Sequence, residues 1–226
     1  MIDARGWLDW TQVWPGVMDK VYSHLNSGRG IVCHSIEGSV AGAMSRFLAT
    51  TRMQDGSYTG LAAASCMFIN PAAGELIQMY PITASTWTSG NRIANCSLWA
   101  VESEGRAGEP LNDNQVANML RLAGEWEAWS GKKLERRVTL WEHNEVYNWA
   151  LANAGPTACP SHRYDPFYAA LAARQPEDAM ATQAQFDELT EAVRKRLAVA
   201  AVMADLNQYE QAMAIYDLAK AKGLVA

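Results

Sequence analysis

The sequence predicts an α/β domain, a mixed central β-sheet flanked by helices, followed by a C-terminal α-helical extension. Three observations carry this. Short apolar runs of strand length alternate with stretches of helical periodicity through the first three quarters of the chain. Clusters of Gly, Pro, Asn and Ser separate them. After Gln175-Pro176-Glu177-Asp178 the texture changes, and residues 183–222 contain neither Pro nor Gly. The expected organisation is one domain over residues 1–175 and a helical tail over residues 183–226. A chain of 226 residues accommodates one ordinary domain and a small addition.

Each element has a local reason. Val17 to Leu25 has helical spacing and stops at Asn26-Ser27-Gly28. Ile31 to His34 is a buried strand. Ser39 caps a helix that carries Val40, Met44, Phe47 and Leu48 on one face and runs to about Thr51. Residues 52–59 are a polar loop. Ala64 to Ile69 and Glu75 to Tyr80 form a hairpin across Asn70-Pro71-Ala72-Ala73-Gly74. Residues 81–96 are an irregular loop, and Ser97 to Ser103 is the next strand. Asn112 with Gln115 makes a capping box for a helix that buries Val116, Met119, Leu120, Ala123 and Trp126 and ends at Gly131. Val138 to Glu142 is the last strand. Residues 144–163 form a loop, and Asp165 to Ala173 a short helix. In the tail, Phe186, Leu189, Val193 and Leu197 mark one helix, and Tyr209, Met213, Tyr216 and Leu218 a second. Apolar stripes of this kind dock on their own domain or self-associate, which makes a homo-oligomer one expectation.

Composition excludes several classes. A net charge of −5 leaves no basic footprint for nucleic acid. No apolar run is long enough to span a bilayer. The N-terminus lacks the apolar stretch of a signal peptide, so synthesis in the cytoplasm with free thiols on the four cysteines is expected. The nine tryptophans serve a core first and a carbohydrate cleft second.

The chemistry-bearing residues are His34, His143 and Cys159. His34 ends a strand, His143 follows another, and Cys159 sits in Thr157-Ala158-Cys159-Pro160. Taken singly, each reads as a core group. Together they supply a His, His, Cys set for Zn2+ with a fourth tetrahedral position left for water, as in a hydrolase. His162 competes with Cys159 for the third place. His24 has no supporting context.

The ordered set His34, Gly74 with Gln78, Trp87 to Gly90 with Asn91, Glu102 before Gly105, His143, and Thr157 before Cys159 resembles the zinc-dependent N-acetylmuramoyl-L-alanine amidases of the phage-lysin and peptidoglycan-recognition-protein family. The resemblance covers roughly residues 28–172. It implies an endolysin-like peptidoglycan hydrolase that cuts the amide between N-acetylmuramic acid and L-alanine, acting on the bacterial wall after release from the cytoplasm. It also implies roles: Glu102 as the acid/base, Thr157 assisting the oxyanion, and Trp87 and Asn91 contacting substrate. Alternation does not separate Glu102 from Glu104, which share a strand face. Two departures from the family pattern stand out. Cys66-Met67 replaces an aromatic-His pair in the second strand, and Trp87-Thr88 replaces Trp-His in the loop. A cytosolic wall-recycling amidase and a peptidoglycan-binding module without catalysis are the alternatives.

Overall fold

A six-stranded sheet organises the computed structural model, which describes residues 1–60, 62–146 and 157–174. Its strands are β1 (Gln12–Val13), β2 (Gly30–Ser35), β3 (Phe68–Asn70), β4 (Ile77–Gln78), β5 (Leu98–Ser103) and β6 (Leu140–Glu142), in the spatial order β1-β4-β3-β5-β2-β6. β3, β5, β2 and β6 run parallel, and β4 returns antiparallel to β3. β2 is buried along its whole length, as its near-continuous apolar sequence demands of a strand covered on both faces. The mixed sheet with flanking helices is the predicted fold class.

Helices cover both faces. They are α1 (Val40–Phe47), α2 (Arg92–Ser97), α3 (Asp113–Ser130), α4 (His143–Val146) and α5 (Asp165–Ala172). Val32, Leu98, Ala100 and Ile69 pack with Ala43, Met44 and Phe47 of α1 and Ala94 of α2. His34 and Glu102 extend this same face, because they lie two residues beyond Val32 and Ala100. On the opposite face Trp99 meets Phe68 and Trp129 of α3 at ring-centroid distances of 6.0 and 5.2 Å. The capping box at α3 forms as predicted, and Gly131 closes that helix in the left-handed conformation. Met119, Ala123 and Trp126 are buried as expected, joined by Leu122, while Val116 and Leu120 are half-buried.

Four expectations need correction. Residues 17–25 form no helix; Tyr22 and Asn26 donate their backbone N–H groups to Ser85 and Thr83 instead. That excursion carries Lys20 into the interior, where its ammonium donates to the carbonyls of Arg46, Phe47 and Ala49 at 2.8–3.2 Å. α1 therefore stops at Phe47, its C-terminal carbonyls satisfied by a buried cation, rather than running to Thr51. Residues 81–96 are not wholly irregular: Asn91 caps α2, accepting from Ile93 and Ala94. The strands are shorter than predicted at β3, β4 and β6, and Val138 is exposed. The expected tail helices at 183–226 lie outside the described residues.

Gly30, the first residue of β2, lies against Thr139, the residue before β6. A Cβ there would lie 2.0 Å from the Thr139 carbonyl oxygen, which accepts the Ile31 N–H at 2.8 Å. We expect Gly30→Ala to destabilise the fold by about 2 kcal/mol through forced strand separation. Urea unfolding should show a lower midpoint at unchanged slope.

Candidate active site

Two parallel strands and two loops converge at one edge of the sheet. His34 is the penultimate residue of β2 and only 1% exposed. Its carbonyl accepts the Tyr164 hydroxyl at 3.0 Å, and its Nε2 lies 3.1 Å from Ser89 Oγ. His143 opens α4 directly after β6, one residue beyond the strand end. Its Nε2 lies 3.0 Å from the Ser89 carbonyl oxygen, and the two imidazole centroids are 4.4 Å apart. Cys159 is tied in at three atoms. Its Sγ accepts the Ser35 N–H at 3.1 Å, its carbonyl accepts Asn144 N–H at 3.0 Å, and its own N–H donates to Thr157 Oγ1 at 3.1 Å.

One donor atom from each of His34, His143 and Cys159 falls within 4.8 Å of the others. His162, the sequence competitor, has a side chain 91% exposed and stands outside this cluster. Burial holds the His34 imidazole well below its usual range, with His143 adding to the effect. Burial also lowers His143, against an opposing bond to the Ser89 carbonyl. The Cys159 thiol is pushed up to about 12, first by burial and then by nearby Glu102. The metal-free site thus holds two neutral rings and a neutral thiol.

These residues suit a zinc ion. Each ring has Nε2 engaged at Ser89, which leaves Nδ1 to coordinate. A cation converts the thiol to thiolate. Three protein donors leave the open position that catalytic zinc uses.

Glu102 is the register partner of His34 across the β2–β5 ladder, so the two side chains share a face. The residue is half-buried overall, yet its Oε2 is sealed from solvent and has no hydrogen-bond partner among the described residues. Burial raises its carboxyl to about 8, countered in part by Arg46. Glu104 is differently employed. Its two oxygens accept the backbone N–H groups of Val40 at 3.1 Å and Ala72 at 2.8 Å, pinning the start of α1 and the β3–β4 turn. Thr157 is half-buried, and because its oxygen accepts from Cys159 its O–H is left to donate.

Trp87 is half-buried between Tyr22 and Tyr58, at ring-centroid distances of 6.0 and 5.6 Å. Asn91 is 2% exposed. Its oxygen caps α2 and its Nδ2 donates to Val146 at 2.9 Å, so the amide is engaged in holding α2 to α4. The expectation of a substrate contact at Asn91 is therefore not carried forward.

Sequence reasoning passed over Ser89, Arg163 and Tyr164. Arg163 is 1% exposed and donates to Glu109 O, Ser35 Oγ, Ser103 O and Glu104 O. It clamps the ends of β2 and β5 beside His34 and Glu102. Gly105 makes room for it: a Cβ there would lie 2.3 Å from Arg163 Nη2, and its φ is +121°. No local periodicity announces a buried arginine of this kind. The one sequence trace is the Gly three residues after Glu102.

The sequence profile of the N-acetylmuramoyl-L-alanine amidases (Amidase_2) matches residues 25–162, more than half of the chain. The chain belongs to this amidase family. The match spans every residue of the cluster. No curated protein matches the chain in sequence. Among solved structures, the amidase is similar to an AmpD derivative with a TM-score of 0.54 and 17% identity, covering 75% of this chain and 98% of that one. It is also similar to the Staphylococcus aureus hydrolase AmiA in complex with its ligand, with a TM-score of 0.53, 14% identity and coverage of 70% and 76%. The endolysin LysCS from Clostridium intestinale URNW gives 0.51, 15% identity and coverage of 75% and 99%. At these identities the likeness is one of fold. Family membership makes the protein a hydrolase of peptidoglycan amides.

The Glu102 carboxyl makes a pH signature in the metal-free amidase. Its folded pKa of about 8 lies above the ordinary 4.5. Between these values the folded state holds a proton that the unfolded state has lost, so stability falls as pH rises and levels off above the folded pKa. Glu102→Gln removes this penalty. Its stability advantage over the wild type, read as a difference in Tm, should grow from pH 5 to pH 8. A constant difference across that range would contradict the buried, unpaired carboxyl.

Proposed function

We propose that the protein is an endolysin-like zinc amidase that cleaves the bond between N-acetylmuramic acid and L-alanine, with His34, His143 and Cys159 as the metal ligands. The observation that carries this reading is the three-donor cluster, within 4.8 Å, set beside the buried and unpartnered carboxyl oxygen of Glu102. Zinc bound there supplies a Lewis acid for the scissile carbonyl and an acidified water.

The remaining work falls to this chain's own groups. Glu102 takes the proton of the attacking water and returns it to the leaving amine of L-alanine. A carboxylate with an unpartnered oxygen beside the three-donor cluster suits both transfers. Thr157 donates its free O–H to the developing oxyanion. Trp87, flanked by Tyr22 and Tyr58, forms an apolar wall for the sugar or the peptide stem. Glu104, with both oxygens bound to backbone amides, holds the scaffold and does not transfer protons.

The endolysin assignment draws support from the fold shared with the endolysin LysCS and from the Trp-rich N-terminal stretch with Trp7, Trp10 and Trp14. On this reading the enzyme reaches the wall after release from the cytoplasm, and residues 183–226 dock, self-associate or bind wall.

Purified peptidoglycan should release new N-terminal L-alanine, lose this activity with a zinc chelator and regain it with zinc. Turnover of soluble wall fragments alone, with intact wall untouched, would move the enzyme to wall recycling. New reducing sugar ends would discard the amidase mechanism. Glu102→Ala should lower kcat by about 10²–10⁴-fold. Thr157→Ala should cost roughly tenfold, as suits one uncharged hydrogen bond. Glu104→Gln should lose stability through one forfeited acceptor and keep most of the turnover.

A further inference from the structure

We propose that Ser89 is the positioning residue that aims both imidazoles, holding Nε2 of His34 through its hydroxyl and fixing both the aim and the tautomer of His143 through its carbonyl. The inference rests on the reading of these histidines as metal ligands, and it assigns a device that their identity alone does not supply.

The two contacts are chemically different. A carbonyl oxygen only accepts, so the 3.0 Å contact from His143 Nε2 fixes the ring proton on Nε2 and the lone pair on Nδ1. The Ser89 hydroxyl can donate or accept, and it lies 3.1 Å from His34 Nε2. Among the described residues this hydroxyl has no other partner. When Nδ1 of His34 coordinates a cation, its Nε2 must carry the proton and Ser89 Oγ receives it. One residue thus engages Nε2 of both rings and leaves Nδ1 of each for a cation shared with Cys159 Sγ. Hydrogen-bonded orientation of this kind raises ligand basicity and fixes the ring against rotation.

Ser89 is itself held rigidly. It is fully buried, and its N–H donates to Asn95 Oδ1 at 2.8 Å. Asn95 belongs to α2, whose capping residue Asn91 donates to Val146 in α4. His143 begins that helix. The loop that orients the rings and the helix that carries one of them are joined by these bonds, so Ser89 cannot drift from His143 without breaking them.

The test is Ser89→Ala, read by 15N NMR of the histidine rings and by zinc titration. The variant removes one oxygen and leaves the carbonyl in place. In the wild type, both rings should show a slowly exchanging Nε2–H in the zinc-loaded protein. In zinc-loaded Ser89→Ala, the His34 Nε2–H should exchange faster and its shift should move, because its hydrogen-bond acceptor is lost. The His143 signal should stay unchanged, which also serves as the control for folding. Zinc affinity should fall by about 10–100-fold. Unchanged His34 signals, or an affinity within about twofold of the wild type, would overturn the proposal. So would a joint change of both rings, because the serine would then act through the loop and not through its hydroxyl. A wild type that shows the Nε2–H tautomer at His143 but binds no zinc would defeat the metal reading and leave the positioning of the rings standing.

Discussion

The parallel pairing of β2 with β5 is the constraint on which the site depends. It sets His34 opposite Glu102, about 4.8 Å apart across the strands, with both side chains on one face. A slip of one residue would send every side chain of one strand to the other face. Both strands are buried, so a slip of β2 would also turn Val32 toward the layer meant for Ile31. Arg163 adds a lock at the functional end. Its guanidinium reaches Ser35 on one strand and Ser103 on the other. A buried cation satisfied by carbonyls and a hydroxyl forms no ion pair with a carboxylate. Glu102 therefore keeps an unpaired oxygen in a dry setting, which is the condition that raises its pKa.

The site is built to be nearly uncharged before any cation arrives. Two imidazoles are held neutral by burial, the thiol is held protonated, and Glu102 retains its proton up to about pH 8. Burying this cluster costs the fold far less than burying two anions would. The ligand set can consequently fold in place without metal, supported by Ser35, Thr157, Ser89 and Tyr164. A dication held there would reverse the local preference for neutral groups, favouring thiolate at Cys159 and carboxylate at Glu102.

Much of this was legible in the sequence, and the exceptions share a cause. β2, β5, the cap of α1 and the capping box of α3 follow from local composition, and His34, His143 and Cys159 are placed by the segments that end at them. Glu102 and Glu104 share a strand face, so periodicity treats them alike. What separates them is the set of amides that Glu104 meets at Val40 and Ala72, 64 and 32 residues away. Ser89 and Arg163 were invisible for the same reason: their partners are ring nitrogens and carbonyls far along the chain. The helix expected over residues 17–25 failed in a related way. Its periodicity is real, but pairing with residues 83–86 and the burial of Lys20 under α1 satisfy the backbone and side chain better.

The loop between β4 and β5 shows how a segment with no regular pattern acquires rigidity. Thr88 Oγ1 donates to Ser65 O, and Trp87 N–H to Ser65 Oγ, which fixes the loop to the strand approach. Asn95 holds Ser89, and Asn91 holds α4. These four anchors are side-chain amides or hydroxyls bonded to backbone, and backbone pairing of residues 83–86 with residues 21–26 adds to them. Small polar residues are required at these points because only they reach a neighbouring backbone without displacing it. A run rich in Ser, Thr and Asn, which in isolation reads as flexible, is thus the part of the chain that holds the two imidazoles still.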